Sequence, residues 1–141
     1  MALHLVKLAA GAENLDELKA RVRRRAAAAL AAGGPECAEH LTRMFPRRRE
    51  ELLDGGSLYW VVKGAVLVRQ RILDLARRPC DDGIERCAIV LAPELIETAA
   101  QPRRAFQGWR YLRAEDAPAD LKASQRGDAA LQAELAELGL L

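Results

Sequence analysis

Ser57-Leu-Tyr-Trp-Val-Val-Lys-Gly-Ala-Val-Leu-Val-Arg-Gln-Arg-Ile-Leu-Asp-Leu75 is the stretch on which the fold turns. Its first seven residues are rich in aromatic and β-branched side chains, which suit a pleated, half-buried surface, so residues 57–63 read as a strand. Gly64 has no Cβ to resist a reversal and bends or turns the chain. Residues 66–75 alternate apolar and polar side chains, the period-two pattern of a second strand. Asp82-Gly83 is a two-residue turn signal that leads into a third strand at residues 86–91, so a hairpin is expected with Cys80 opposite Glu85 and Cys87 opposite Arg78. Pro93 ends that strand, Pro102 opens a basic loop, and residues 108–113 read as a last strand.

Working outward toward the N-terminus, residues 39–45 read as a strand ended by Pro46. That proline opens a short helix closed by Asp54-Gly55-Gly56, because its missing N–H would have no partner in a first turn. Asn14 followed by Glu17 is a helix start, and Gly33-Gly34-Pro35 is its stop. Between them Leu15, Leu18, Val22, Ala26, Ala29 and Leu30 share one stripe that should face the core. Residues 3–8 alternate loosely and predict a first strand. Toward the C-terminus the chain turns polar beyond Glu115, and residues 128–138 read as a helix with Leu131, Leu135 and Leu138 on one stripe. The order β-α-β-α-β-β-β-β-α predicts an α+β fold, a mostly antiparallel twisted sheet or small partly closed barrel with flanking helices. Residues 1–121 are expected to form the core domain, and residues 122–141 a linker and short amphipathic helix.

Length and composition agree with such a domain. A chain of 141 residues, half of them hydrophobic and 30% charged, is long enough to bury one core without staples. Its apolar runs fall far short of the roughly 20 residues that cross a bilayer as a helix, so no membrane association is expected. The first ten residues lack the pattern of a secretory signal, and a cytoplasmic location is expected. Cys37, Cys80 and Cys87 are an odd set with no close pair, as expected of free thiols.

Charge is unevenly placed. Residues 43–113 hold 14 Lys and Arg against 9 Asp and Glu, whereas residues 114–141 hold 2 against 6. Five of the six aromatic residues lie between Tyr59 and Tyr111. Arg69 and Arg71 should project from one face of a strand roughly 7 Å apart. Arginine's planar fork can pair two oxygens of a phosphate or carboxylate at once. Cations that follow a backbone, interleaved with aromatic faces for the bases, are what single-stranded nucleic acid requires. Tyr59, Lys63, Arg69, Arg71, Arg103, Arg104, Trp109 and Arg110 are therefore the candidate binding residues for RNA or a nucleotide-like ligand. The bland alternative is weighed beside this: strand tryptophans such as Trp60 and Trp109 usually pack a core, and strand arginines usually meet water.

Catalytic chemistry has thinner support. Ser57 with His4 or His40 lacks the G-x-S-x-G elbow of a serine hydrolase. Cys37 and His40 are too few for a zinc site, so no metal is expected. The glycines form neither phosphate-loop pattern, and no cofactor is expected. An enzyme holding a small anionic substrate on the same arginines, with Asp54 or Asp74 as base, is one alternative, though no catalytic residue can be assigned. The other is an interaction module that self-associates or docks a partner through Leu131, Leu135 and Leu138.

The stretches 54–64, 68–74, 82–87 and Phe106-Gln-Gly-Trp-Arg-Tyr-Leu112 resemble a bacterial family known as domain of unknown function 1489, over nearly the whole chain. The family implies a compact single domain and no established activity. More remotely, the strand-rich middle and its closing Gly-Trp-Arg-Tyr-Leu are similar to small PUA-like barrels, a resemblance that implies RNA or modified-base recognition by a cleft near residues 59–63, 69–71 and 109–111.

Overall fold

A computed structural model describes residues 3–104 and 106–121. Two helices and seven strands follow one another as β1 (Leu3–Leu8), α1 (Leu15–Ala31), β2 (Ala38–Thr42), α2 (Arg49–Leu53), β3 (Ser57–Val62), β4 (Ala65–Pro79), β5 (Glu85–Leu91), β6 (Ile96–Pro102) and β7 (Trp109–Arg113). The strands form one mixed sheet in the order β2-β5-β4-β3-β1-β7, with β6 paired to β4. Only β1 and β3 run parallel; the other pairs are antiparallel. The α+β class and the mostly antiparallel sheet agree with the sequence-based expectation.

The quoted stretch makes the central hairpin. Val62 pairs with Ala65, and Lys63 and Gly64 between them have φ of 49° and 85°. Two positive φ values define the tight turn whose twist matches its flanking strands. β4 is long enough to serve two partners along one side: residues 72–79 pair with β5 and residues 65–69 with β6. The sheet's end strands β2 and β7 are not joined by a ladder, so the barrel stays open. The loop after β2 reaches β7 instead: Trp109 Nε1 donates to the Met44 carbonyl at 2.8 Å, and the Arg47 N–H donates to Tyr111 Oη at 2.9 Å.

The inner face carries the larger core. Leu5, Leu58, Trp60, Val62, Leu67, Val68, Ile89 and Leu91 line it, and Leu15, Leu18 and Val22 of α1 pack onto it. The outer face has a smaller cluster of Val6, Tyr59, Val61, Val66 and Leu112, with Phe106 and Ala117 packed against it. Trp60 and Trp109 are both core residues. The segment after β7 pairs back onto β6, with the Ala99 N–H donating to the Ala119 carbonyl at 2.8 Å and the Leu121 N–H to the Glu97 carbonyl at 2.9 Å.

Several expectations need correction. β6 was not foreseen between Pro93 and Pro102. The β4–β5 hairpin pairs Pro79 with Glu85 and Arg77 with Cys87, one residue away from a two-residue Asp82-Gly83 turn. Asp82 accounts for the difference: its carboxylate accepts from the Ile84 N–H at 3.1 Å and from Arg86, which closes a wider loop. β2 ends at Thr42 rather than Phe45. α2 starts at Arg49 rather than Pro46, and the Arg47 and Arg48 N–H groups ahead of it donate to Tyr111 Oη. Leu30, assigned to the core stripe of α1, is 51% exposed near the end of the helix. The helix expected at residues 128–138 lies outside the described residues. No helix among the described residues is long and apolar enough to cross a membrane.

Candidate functional site

The eight candidate residues fall in three places. Trp109 leaves the candidate surface: it points inward, 6% exposed, edge-on to Tyr111 and hydrogen-bonded to Met44. Tyr59, Arg69 and Arg71 lie together on the outer face, with Tyr59 paired to Arg69 and Ser57 to Arg71. Lys63, Arg103 and Arg104 lie about the β3–β4 turn, six residues along β4 and roughly 20 Å from Arg71, and Arg110, which stands in the row of Val6, Tyr59 and Arg69, joins Arg103 over the Phe106 ring.

On the Arg69 side one of the two cations is already used. Arg69 Nε and Nη2 grip both oxygens of Asp120 at 2.8 and 2.7 Å, and Nη1 donates to Ser57 Oγ at 2.9 Å. This two-pronged pair ties the segment after β7 to the sheet. Asp120 raises the guanidinium's already high pKa further, and burial raises that of the Tyr59 phenol. The Ser57 N–H donates to His4 Nδ1 at 3.0 Å, so the ring proton sits on Nε2. The His4 lone pair is occupied and cannot take a proton from Ser57 Oγ, which counts against a serine nucleophile. Burial, with Arg69 adding to it, lowers the His4 pKa. The Arg71 side chain is exposed and makes no hydrogen bond or ion pair among the described residues, while its carbonyl accepts from the Ala92 N–H at 2.9 Å. Asp74 is held by Arg49 at 2.6 Å. Asp54 is exposed at the end of α2, at the opposite end of β3 from the Lys63 turn.

The other end is different. Phe106 is half-buried against Val6, Tyr59 and Leu112, and two guanidinium groups lie over its ring, Arg103 at 5.7 Å and Arg110 at 5.0 Å. The ring's negative face accounts for the attraction of each cation. The Arg103 N–H donates to the Gly64 carbonyl at 2.8 Å, which fastens this loop beside the Lys63 turn. Lys63, Arg103, Arg104 and Arg110 make no ion pair among the described residues. Elsewhere about half of the described arginines are matched with acids, among them Arg48 with Glu51, Arg78 with Glu39, Arg86 with Asp82 and Arg113 with Asp116. Lys63 is also the one non-glycine residue with positive φ among the described residues. A lysine there costs roughly 1 kcal/mol relative to glycine, so the turn holds a cation where glycine or asparagine would be easier.

A second polar group lies on the inner face. Trp60 Nε1 donates to Gln70 Oε1 at 2.8 Å, and Gln70 Nε2 donates to the Ala92 carbonyl at 2.9 Å. His40 meets the Trp60 ring edge-on at 5.3 Å. Burial, helped by the charges of Lys7, Arg25 and Arg21, lowers the His40 pKa from 6.5 to about 4. Between those values the unfolded chain holds a proton that the folded one does not. Stability is therefore complete above pH 6.5 and falls as the pH drops toward 4, by up to about 3 kcal/mol. Urea denaturation at pH 7 and pH 4.5 in phosphate-free buffer should show this fall, and His40→Gln should remove most of it.

The three cysteines are free, and no group of His, Cys, Asp and Glu suited to a metal occurs among the described residues. The described residues thus form an open α+β sheet, and the basic side chains about Phe106 make no ion pair among them. The chain belongs to the family described as a protein of unknown function, domain of unknown function 1489, whose profile matches residues 5–141. No curated protein sequence and no solved structure is similar enough to count as a match.

Proposed function

We propose that this protein binds RNA or a nucleotide-like anion on the surface built by Lys63, Arg103, Arg104, Phe106 and Arg110. The observation that carries it is the pair of guanidinium groups over Phe106 with no carboxylate partner among the described residues. Like charges brought together without a counter-charge raise the potential at that spot and favour a phosphate. Guanidinium planes also stack on exposed bases, so the cluster can take both parts of a nucleotide. The sequence-based choice of Arg69 and Arg71 moves to a supporting place: Arg69 holds Asp120, and Arg71 stands apart.

Titration of a short single-stranded RNA across a salt series tests this reading. Four phosphate contacts give a slope of log affinity against log salt of about −3. Arg103→Ala with Arg110→Ala should weaken binding and bring the slope to about −1.5, while Arg71→Ala should change both little. Unmeasurable binding at low salt, or an unchanged slope in the double variant, would overturn the proposal.

A further inference from the structure

The inner face holds a polar atom that the fold does not satisfy. His40 Nε2 is buried and makes no hydrogen bond to any described residue. A buried polar group left without a partner costs about 1–3 kcal/mol, so its retention calls for an explanation. The surroundings of this one are cationic. Lys7 pairs with Trp60 across β1 and β3, so its side chain leaves the sheet on the same face as the indole on which His40 rests. Arg21 and Arg25 come from the next turns of α1, and with Lys7 they are the charges acting on His40. Arg21 is steadied by donating Nη2 to the Ala10 carbonyl at 2.8 Å.

Lys7 and Arg25 form no ion pair among the described residues, and Lys7 is half-buried. The nearest acid in the row of paired residues Lys7, Trp60, Val68 and Glu97 is Glu97, which Lys19 holds at 3.1 Å. His40's other neighbours in the sheet, Ile89 and Leu75, are apolar. Arg25 in addition lines an open groove of about 430 Å³ between α1 and β2, together with Ala28, Ala29, Cys37, Glu39 and Leu41. Three cations and one free imidazole nitrogen, on four separate turns or strands, make a centre of positive charge that ordinary folding would not assemble.

We infer that Lys7, Arg21, Arg25 and His40 form a site for a phosphate group beneath α1. The ligand is inorganic phosphate or a small phosphomonoester. The tetrahedral dianion offers enough acceptor oxygens for Lys7, the two guanidinium groups and an Nε2–H donor from His40 together. This site lies on the opposite face of the sheet from Phe106, because Lys7 and Val6 point to opposite sides. It does not depend on the RNA reading.

The experiment is a titration of the full chain at pH 7 with inorganic phosphate and separately with adenosine 5′-monophosphate, read by the ring-nitrogen NMR signals of His40. A saturable shift is expected, with the His40 pKa rising by about one unit or more in the bound form. Lys7→Met keeps the apolar stem beside Trp60 and should weaken binding at least about ten-fold, and Arg25→Gln should do the same. Tighter binding of the free ion would identify phosphate itself as the ligand, and tighter binding of the nucleotide would identify a phosphomonoester. Arg103→Ala with Arg110→Ala should leave the titration unchanged, which separates this site from the basic surface. Absence of a saturable His40 shift with either probe, or equal affinity in Lys7→Met and Arg25→Gln, would overturn the inference.

Discussion

Trp60→Ala should lower the unfolding free energy by about 3–5 kcal/mol, a large part of the roughly 5–15 kcal/mol that a domain of this size has in total. Trp60 is 2% exposed at the centre of the inner face, and the cavity left behind would be walled by strands that cannot close on it. The indole also does polar work. Its N–H satisfies Gln70 Oε1, and Gln70 passes the connection to the Ala92 carbonyl between β5 and β6. Trp60→Phe keeps most of the apolar volume but leaves Gln70, which is fully buried, with an unpaired oxygen, and should cost about 1–3 kcal/mol. Urea denaturation of the two variants separates packing from polar satisfaction. A loss below about 1 kcal/mol in Trp60→Ala would contradict the packing described here.

Gly56→Ala should cost about 3 kcal/mol or more, whereas Gly55→Ala beside it should cost about 1–2 kcal/mol. The two glycines look alike in sequence and are needed for different reasons. Gly55 has φ of 84° and open space around it, so alanine there suffers only from the left-handed backbone. A Cβ on Gly56 would stand 2.3 Å from the carbonyl oxygens of both Leu3 and Leu52. Those oxygens belong to backbone and cannot swing aside. Gly56 also donates its N–H to Leu52 and accepts from the Ile72 N–H, each at 3.0 Å, so α2, β1, β3 and β4 are locked around it. Thermal or urea unfolding of both variants checks the ranking, and equal losses would show that backbone conformation alone explains the pair.

Much of the fold was legible where the signal is local. β1 falls at residues 3–8 as its alternation implied. Asn14 caps α1 through its side chain, accepting from the Glu17 N–H at 2.9 Å, as the spacing of Asn14 and Glu17 implied. Gly64 reverses the chain between β3 and β4 because a hairpin turn with two positive φ values favours glycine. β6 was illegible for the converse reason. Ile96-Glu-Thr-Ala-Ala-Gln-Pro102 has neither alternation nor many β-formers, and it is extended because β4 offers it an edge. Leu30 fits the apolar stripe of α1, yet it is exposed near the end of the helix, and a helical period cannot report where burial stops.

The candidate site divides in the same way. Composition and position drew attention to Lys63, Arg103, Arg104 and Arg110, of which Arg103 and Arg110 meet over the Phe106 ring. Their neighbours could not be read from spacing. Asp120 claims Arg69 from 51 residues away, and Arg103 reaches the Lys63 turn only because β6 runs beside β4. Local chemistry along the chain set the strands, the first helix and the tight turn, since φ preferences, caps and two-residue alternation act over a few residues. Folding in three dimensions chose which arginines are neutralised, which lie over Phe106, and which surround His40. Charge pairing depends on distance in space, and a sheet brings together residues that no period in the sequence relates.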